Sequence, residues 1–535
     1  MSQQPTMTRE PSNKDVGPRS LGQILVRNTL SNFVGQSALA VLTFFSTPYI
    51  VRHFGSSRYG VLMLLLTFVN MLNVLQMGFN TGLVKYLAGI LGQANSEEAE
   101  QYVGTSLAIY LSIATPVAIA LASFTGWLVP AFFHVPDELR RDIILCFYLA
   151  AAAFLLRFVA EVFYAVPIAA QRFDIVNGLF VGCELVRILA SVLAVYLGYL
   201  VKTVIAVNLC VNLLFLVGSL LSSKYLIPGL RVRPRFSYPH FWRLFHFSKF
   251  TAIASFASRI GNNVDVLIVG YFLPVANVSF YSIPAALCSK IWALVGNVTT
   301  VSFPAASALS AASPEGKLGE LYLRGTKMVT ALAAFPAVAL CLLSHEILRH
   351  WIGIEFASQS SLTLKLMSCA FLINCLMHMP DSLSSGVGHP WIPAKFNVLE
   401  TTLKFGSFLV LVPHFGIAGA AAGYLGTQVV LTPWFVNAAN RVVGVSWRSL
   451  LLKSYCPILT PLSLISLFLL SMRPYVTSLH WLILVLFSAS AAYMLLGTFL
   501  ILDSKERTAC LALLATLPFR GLASPKVEHL SEVER

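Results

Sequence analysis

Long, nearly uncharged apolar runs recur along the whole 535-residue chain. Each run is roughly twenty residues long, the length that a helix needs to cross a hydrocarbon layer of about 30 Å. Hydrophobic residues make up 57% of the chain and charged residues only 11%, whereas a soluble domain carries about 25% charged residues. Most of the surface must therefore face lipid, and the sequence predicts an all-α polytopic membrane protein.

The apolar runs predict about fourteen transmembrane helices. Their expected bounds are 28–51, 59–80, 103–128, 143–168, 178–198, 203–226, 250–273, 279–305, 328–350, 362–385, 397–413, 416–438, 456–472 and 479–502. The expected domains are an N-terminal tail (1–24), an N-lobe of helices 1–6 (25–226), a basic linker (227–249), a C-lobe of helices 7–12 (250–442), helices 13 and 14 (443–503) and a C-terminal tail (504–535).

The distribution of lysine and arginine predicts how the helices are oriented. Most of these residues fall in the two tails, in the basic linker and in the other even-numbered loops. The basic residues of the odd-numbered loops are Arg52, Arg58, Arg140, Arg141, Lys202, Arg349 and Arg473. Because cytoplasmic loops carry the excess of Lys and Arg, we expect both termini and the linker to be cytoplasmic.

Weak matches at a nearly constant spacing indicate an internal duplication. The segment 50–54 lines up with 268–272, and Gly198 lines up with Gly416. Two halves with six helices each enter the membrane in the same direction, so a pseudo-twofold axis along the membrane normal should relate them. A central cavity between two such lobes suits transport by alternating access.

Ionisable residues within the predicted helices are costly in lipid, at roughly 2.5–3.5 kcal/mol each on insertion scales, and should face the bundle interior. Three pairs share a helix face because their members are three or four residues apart. These pairs are Arg157 with Glu161, Glu184 with Arg187, and Glu400 with Lys404. They are either structural pairs that neutralise one another or charges that couple transport to an ion gradient.

Arg259, Asp265 and Lys290 have no such partner nearby in the sequence. They lie on the first two helices of the predicted C-lobe, which would flank a central cavity. Cationic residues there would suit an anionic phosphate or pyrophosphate headgroup. We therefore predict that Arg259 and Lys290 bind a headgroup, with Lys85 as a further candidate and Asp265 as a possible coupling carboxylate.

Several function classes are excluded by missing motifs. The chain contains no GxxxxGK[ST] loop, so it is not expected to hydrolyse ATP. It contains no CxxC pair, which argues against a zinc site and a disulfide framework. No soluble basic domain could bind nucleic acid. No loop outside the basic linker is large enough for a catalytic domain. We expect no cofactor, no bound metal and no enzymatic activity.

Several motifs lie near the start of the chain: the stretch Asn28 to Gly60, with Ser46-Thr47-Pro48-Tyr49-Ile50-Val51 and Gly55…Tyr59-Gly60, then Met77-Gly78-Phe79 and Lys85-Tyr86. They resemble the opening of the bacterial polysaccharide flippases, or Wzx-type O-antigen translocases, of the multidrug/oligosaccharidyl-lipid/polysaccharide exporter superfamily. With the helix count, the half-repeat and the Asp265…Tyr281 region, the resemblance extends over about residues 25–500.

The resemblance implies a flippase in the bacterial inner membrane that moves a polyprenyl-pyrophosphate-linked oligosaccharide to the outer leaflet. Its product would feed surface polysaccharide synthesis, such as O-antigen, lipopolysaccharide or exopolysaccharide. It also implies a V-shaped pair of rocking lobes, contact with membrane lipids, and the polysaccharide polymerase and export machinery as candidate partners. Family members use cationic cavity residues, which Arg259, Lys290 and Lys85 match by position.

Three alternatives stay open at this point. A multidrug or toxin antiporter of the same superfamily would need a carboxylate in its first-lobe cavity, for which Glu161 or Glu184 could serve although the first helix has none. A lipid II flippase-like protein would share the fourteen-helix layout. A membrane glycosyltransferase or polymerase would need an acidic catalytic pair or a long outer loop.

Overall fold

The structure is a computed structural model that describes residues 18–76, 78–91, 95–132, 137–299, 302, 306–307, 317–504 and 506–508. The regular elements in these ranges are helices. They are α1 (Pro18–Leu72), α2 (Phe79–Leu91), α3 (Ser96–Phe132), α4 (Asp137–Ala169), α5 (Phe173–Tyr196), α6 (Val201–Leu226), α7 (Tyr238–Phe272), α8 (Val275–Thr299), α9 (Lys317–Leu342), α10 (Ser344–Trp351), α11 (Ile354–Cys375), α12 (His378–Gly386), α13 (Trp391–Val443), α14 (Trp447–Leu450), α15 (Cys456–Met472) and α16 (Leu479–Leu500).

Helices dominate because lipid offers no hydrogen-bond partners, so a spanning backbone must pair its own N–H and C=O groups. Eleven helical segments within the described ranges are long and apolar enough to cross a membrane. The prediction of an all-helical, multi-pass membrane protein is confirmed. Parts of the predicted tails (1–24 and 504–535) and the end of the predicted eighth helix (279–305) lie outside the described residues.

The chain forms two compact units, described here one at a time. The first comprises Met1–Ile283 with Asn397–Ala420. Its core lies among α2, α3 and α4, where Tyr102, Phe154 and Phe158 are almost fully buried. Burying such large side chains contributes most of the packing energy of a helix bundle.

The second unit comprises Pro284–Phe396 with Ala421–Arg535. One of its apolar clusters joins α9, α15 and α16 through residues such as Leu469 and Val485. A second cluster joins α8, α9 and α12 through Val295, Val329 and Leu383.

Helix α1 contains the first predicted span, 28–51, and most of the second, 59–80, and changes direction at Gly55. Gly55 has φ 74° and ψ 168°, outside the helical region, a conformation that glycine adopts at low cost because it lacks a Cβ. Five residues later, a Cβ on Gly60 would overlap the carbonyl oxygen of Val275. Both glycines belong to the stretch that carries the family resemblance. Backbone geometry explains why each position is a glycine.

Helix α13 likewise contains two predicted spans, 397–413 and 416–438, with a break at Gly416 (φ 60°). Gly198, which the sequence aligned with Gly416, has φ 80° and ends the turn after α5. The two aligned glycines therefore share a left-handed backbone.

Two predicted boundaries differ from the observed ones. The predicted second span, 59–80, covers the end of α1, a 3₁₀ turn at Asn73–Gln76 and the start of α2, which continues to Leu91. Apolar runs alone do not reveal this interruption, since residues on both sides are hydrophobic. The break places Asn73 at a turn inside the bundle.

The predicted basic linker, 227–249, is extended only in its first part, because α7 begins at Tyr238. The extended part lies against α3: the N–H of Arg235 donates to the carbonyl of Gly104 (3.1 Å) and Thr105 Oγ1 donates to the carbonyl of Arg235 (3.2 Å). The linker is thus fixed to the first unit by backbone hydrogen bonds.

A polar cavity among four helices as the candidate functional site

A cavity of about 360 Å³ lies inside the first unit, among the second part of α1 and helices α4, α5 and α6. Its lining is polar for a site in a membrane-spanning bundle. The lining residues are Leu66, Val69, Asn70, Asn73, Ala153, Arg157, Glu161, Cys183, Glu184, Arg187, Asn208, Val211 and Asn212. All four ionisable residues predicted inside the first lobe therefore meet at one place.

One wall of the cavity carries an ion pair on α4. Arg157 Nε donates to Glu161 Oε1 at 2.9 Å, one helical turn away. The other carboxylate oxygen of Glu161 accepts a bond from Asn80 Nδ2 at 3.3 Å. The guanidinium of Arg157 also lies over the ring of Phe215, 3.9 Å from its centroid, a contact that stabilises a partly desolvated cation. Both charges are thus held in fixed positions.

The facing wall carries a second ion pair on α5, where Arg187 Nη2 contacts Glu184 Oε2. These side chains are more open than those on α4: Arg187 is 40% exposed and Glu184 is 19% exposed. Partial exposure means that water or a ligand can reach this pair.

Four asparagines also line the cavity. Asn70 and Asn73 come from the end of α1, and Asn208 and Asn212 lie one turn apart on α6. Within the described part of the chain, no hydrogen bond joins any of these four carboxamides to another side chain. The side-chain oxygen of Asn73 is buried and has no partner among the described residues.

The charges of the cavity cancel when all four groups are ionised, because two arginines face two glutamates. The sequence led us to expect surplus positive charge in a substrate cavity, and this cavity does not have it. Carboxamides donate through nitrogen and accept through oxygen. The arrangement therefore suits a neutral ligand with many hydroxyl groups better than an isolated anion or cation.

A second group of charges, which we call the Asp265–Lys404 cluster, consists of Asp265 on α7, Tyr281 on α8, Lys404 on α13 and the carbonyl of Gly261. Tyr281 Oη donates to Asp265 Oδ2 at 2.9 Å. Lys404 Nζ donates to the Gly261 carbonyl at 2.8 Å and lies 3.8 Å from Asp265 Oδ2. A Cβ on Gly261 would come 2.6 Å from Thr401 Oγ1, so α7 and α13 approach closely here.

This cluster adds contacts that the sequence did not reveal. Asp265, which has no such partner nearby in the sequence, has two across neighbouring helices. Lys404 forms an ion pair with Asp265, and its expected pairing with Glu400 on its own helix stays a prediction. Helix packing brings residues together that are far apart in the sequence. Glu400 is half-buried on α13, and its role stays a prediction.

The three predicted headgroup cations are not among the residues that line the cavity. Lys85 is exposed on α2, with its ammonium 3.8 Å from the centroid of the Phe247 ring. Lys290 is exposed on α8, in the second unit. Arg259 lies on α7, and its side chain is outside the described part of the structure. Headgroup binding by these residues stays a prediction.

Sequence reasoning missed the four asparagines. Asn208 and Asn212 show a four-residue spacing, which puts both side chains on one helix face. Unpaired carboxamides in a long apolar run could have been noticed as a signal, since each costs free energy in lipid. The charged residues of the same helices are the more obvious sequence signal.

A family model described as "Polysaccharide biosynthesis protein" matches residues 49–360, which is more than half of the chain. The chain belongs to this polysaccharide biosynthesis family. The resemblance to the polysaccharide flippases of the multidrug/oligosaccharidyl-lipid/polysaccharide exporter superfamily is thereby confirmed, and the family is one of transporters rather than enzymes.

One relative of this polysaccharide biosynthesis family member is a putative O-antigen transporter of Shigella flexneri. It is 22% identical over 407 residues, which cover 75% of this chain and 94% of the relative.

Solved structures show the fold that the family member adopts. The lipid II flippase MurJ in an inward closed conformation matches with a TM-score of 0.69 at 12% identity, over 88% of this chain and 98% of that protein. An inward-facing multidrug transporter of the MATE family matches with a TM-score of 0.59 at 14% identity, over 76% and 94%. The fold is therefore of the MOP superfamily type.

Proposed function

We propose that this protein translocates a polyprenyl-pyrophosphate-linked oligosaccharide from the cytoplasmic to the outer leaflet of a bacterial inner membrane by alternating access. The flipped glycan would then be used for surface polysaccharide, O-antigen being one example. The polysaccharide polymerase and export machinery would be its protein partners.

The polar cavity is the observation that carries this proposal. Two arginines, two glutamates and four asparagines line a space of about 360 Å³ within membrane-spanning helices. Polar groups in such positions are expensive and mark substrate pathways. A glycan, like the pyrophosphate that carries it, cannot cross lipid unaided, so its translocation requires a hydrophilic cavity.

The comparisons support the same substrate class. A family named for polysaccharide biosynthesis covers residues 49–360. The Shigella flexneri relative is named a putative O-antigen transporter, and the similar fold of MurJ belongs to a lipid II flippase. A lipid II-like substrate would share the polyprenyl-pyrophosphate anchor, and the test below separates the two by their sugars.

The expected architecture is part of this proposal. The described ranges contain eleven candidate spans, and two of them divide at Gly55 and Gly416. With α7 added, the count becomes about fourteen, the number expected from hydropathy. Two six-helix lobes related along the membrane normal would then contain the aligned glycines Gly198 and Gly416, which share positive φ. The excess of basic residues in the even-numbered loops supports cytoplasmic termini.

Headgroup binding by Lys85, Arg259 and Lys290 is also proposed. The cavity in the first unit is balanced in charge and does not supply a surplus cation for a pyrophosphate. Cations elsewhere in the chain are needed for that task. Lys85 and Lys290 are exposed, and within the described part of the structure Lys290 forms neither an ion pair nor a hydrogen bond.

A multidrug antiporter gains no support from the carboxylates of the cavity. Glu161 already contacts Arg157 and Asn80, and Glu184 already contacts Arg187. A cationic drug would meet neutralised carboxylates there. The antiporter remains an outcome that the experiment can reveal.

Deleting the gene in its host tests the proposal. We expect polyprenyl-linked oligosaccharide to accumulate on the cytoplasmic side and surface polymer to disappear, because the polymer's precursor can no longer cross. Extraction of lipid-linked sugars followed by mass spectrometry measures the first effect and identifies the sugar. The wild-type gene on a plasmid should reverse both effects.

Two results would contradict the proposal. Intact surface polymer with heightened sensitivity to cationic dyes would indicate that the protein exports drugs. Accumulation of the peptidoglycan precursor lipid, with unchanged surface polysaccharide, would make it a lipid II flippase instead.

A further inference from the structure

We propose that the cavity lined by Asn70, Asn73, Asn208 and Asn212 is a saccharide subsite that binds uncharged sugar rings of the translocated glycan. This inference rests on the proposed function and deepens it. According to this inference, the first unit binds the sugar part of the substrate, and cations outside this cavity bind the pyrophosphate.

The charge balance of the cavity selects against an anionic ligand. Arg157 and Arg187 already contact carboxylates, at 2.9 Å in the case of Arg157 and Glu161. A phosphate entering the cavity would have to displace Glu161 and Glu184 or lie beside them. Like charges at such distances repel strongly where little water screens them. A neutral ligand avoids this cost.

Unused hydrogen-bonding capacity points to a ligand with hydroxyl groups. Buried polar atoms in proteins are almost always hydrogen-bonded, yet the buried side-chain oxygen of Asn73 has no partner among the described residues. The carboxamides of Asn70, Asn208 and Asn212 are not joined to other side chains in the described structure either. Four carboxamides around one space match sugar hydroxyls, which also both donate and accept.

The two ion pairs would contribute to recognition without changing partners. Each carboxylate has more acceptor sites than one donor uses, and each guanidinium has five donors. Arg157 is held by Glu161 and by the ring of Phe215, so its remaining N–H groups are fixed in direction. A fixed donor loses little conformational entropy when a hydroxyl binds.

The size and access of the cavity fit this role. Its volume of about 360 Å³ lies at the lower end of the range of roughly 300–1,000 Å³ for small-molecule pockets. Asn70 is exposed and Arg187 is 40% exposed, so the lining can be reached from outside the bundle. A short part of an oligosaccharide could occupy it.

A binding experiment on the full chain in lipid nanodiscs tests the inference. The first probe is the repeat-unit oligosaccharide released from the host's surface polysaccharide by mild acid, titrated by calorimetry. The second probe is undecaprenyl pyrophosphate without a sugar. We expect the oligosaccharide to bind the wild-type protein, and the double variant Asn208→Ala with Asn212→Ala to bind it at least about tenfold more weakly, because several hydrogen bonds are lost.

The matched control is Asn177→Ala, which removes the same side chain from α5 at a position that does not line the cavity. It should leave oligosaccharide binding unchanged. Undecaprenyl pyrophosphate should bind the wild type and the double variant equally. Asn70→Ala is a milder second variant, since this exposed residue has little role in packing, and it should weaken the oligosaccharide alone.

Each remaining outcome overturns the inference. Unchanged oligosaccharide binding in both cavity variants would show that the cavity holds water only. Loss of undecaprenyl pyrophosphate binding in the variants would make it a headgroup site. Absence of oligosaccharide binding in a protein whose deletion blocks surface polymer would reject the subsite while the flippase function stands. Normal surface polymer in the deletion strain would reject the flippase function itself.

Discussion

The polar cavity and the Asp265–Lys404 cluster both place opposite charges inside membrane-spanning helices, but they differ in exposure. In the cluster, the side chains of Asp265 and Lys404 are 12% and 10% exposed, and three helices close around them. In the cavity, the four charged side chains are between 13% and 40% exposed and open onto a shared space. The first arrangement is closed, and the second can take up a ligand.

The difference shows that an intramembrane ion pair has two distinct uses. A closed pair has lost its water, so each charge depends on its partner and on added hydrogen bonds. Tyr281 and the carbonyl of Gly261 supply such bonds in the cluster. The cavity pairs keep access to solvent, so their groups can form additional contacts with a substrate. We interpret the cluster as a tie between α7, α8 and α13, and the cavity as a binding site.

The largest expected effect comes from breaking the closed pair. Lys404→Met removes the ammonium and leaves the carboxylate of Asp265 buried, with Tyr281 and a backbone N–H as its remaining partners among the described residues. We expect a loss of about 3–5 kcal/mol in the free energy of unfolding, as for other broken buried pairs. Unfolding in detergent, followed by circular dichroism, measures it.

Adding Asp265→Asn to Lys404→Met is the control for that experiment. It removes the uncompensated charge, so most of the lost stability should return. A single variant as stable as the wild type would show that the cluster is open to water like the cavity, and the comparison would fail.

A smaller effect is expected from Tyr281→Phe, which keeps the ring and removes the hydroxyl that donates to Asp265 at 2.9 Å. Hydrogen bonds to charged groups contribute about 1.5–3 kcal/mol, so the free energy of unfolding should fall by roughly that amount. The same unfolding assay applies. Tyr164→Phe, which removes a neutral bond to the carbonyl of Val176 at 3.2 Å, should cost less.

The smallest effect on stability is expected from neutralising a cavity pair. Arg157→Gln with Glu161→Gln should lower the free energy of unfolding by no more than about 1 kcal/mol, because both charges are removed together and no uncompensated charge is left among the helices. Transport should nevertheless be lost, and lipid-linked sugars should accumulate as in the deletion strain. Stability and surface polymer are measured on the same variant.

The matched control neutralises an ion pair that does not line the cavity. Arg172 and Asp174 form a pair at 2.8 Å and are 43% and 60% exposed. Arg172→Gln with Asp174→Asn should change neither stability nor surface polymer appreciably. If the cavity variant transported normally while being as unstable as Lys404→Met, the roles assigned to the two regions would have to be exchanged.

The sequence predicted those features of the site that depend on positions close together in the chain. Arg157 and Glu161, four residues apart, share a helix face, and the structure joins them through a hydrogen bond of 2.9 Å. Asp265 and Lys404 are far apart, and no spacing rule could pair them. The asparagines of α1 and α6 line one cavity only because those helices pack side by side.

The apolar runs were sufficient to predict a helical, multi-pass membrane protein, because the transfer of apolar side chains into lipid is a local and nearly additive property of each run. Boundaries between predicted spans also fell near Gly55 and Gly416, where the structure has non-helical glycines with positive φ, which glycine adopts at low cost. Which polar side chains meet in a cavity, and which are closed off from water, became clear only from how the helices pack. This depends on which helix faces pack together, because the packing sets how much water reaches each charged side chain.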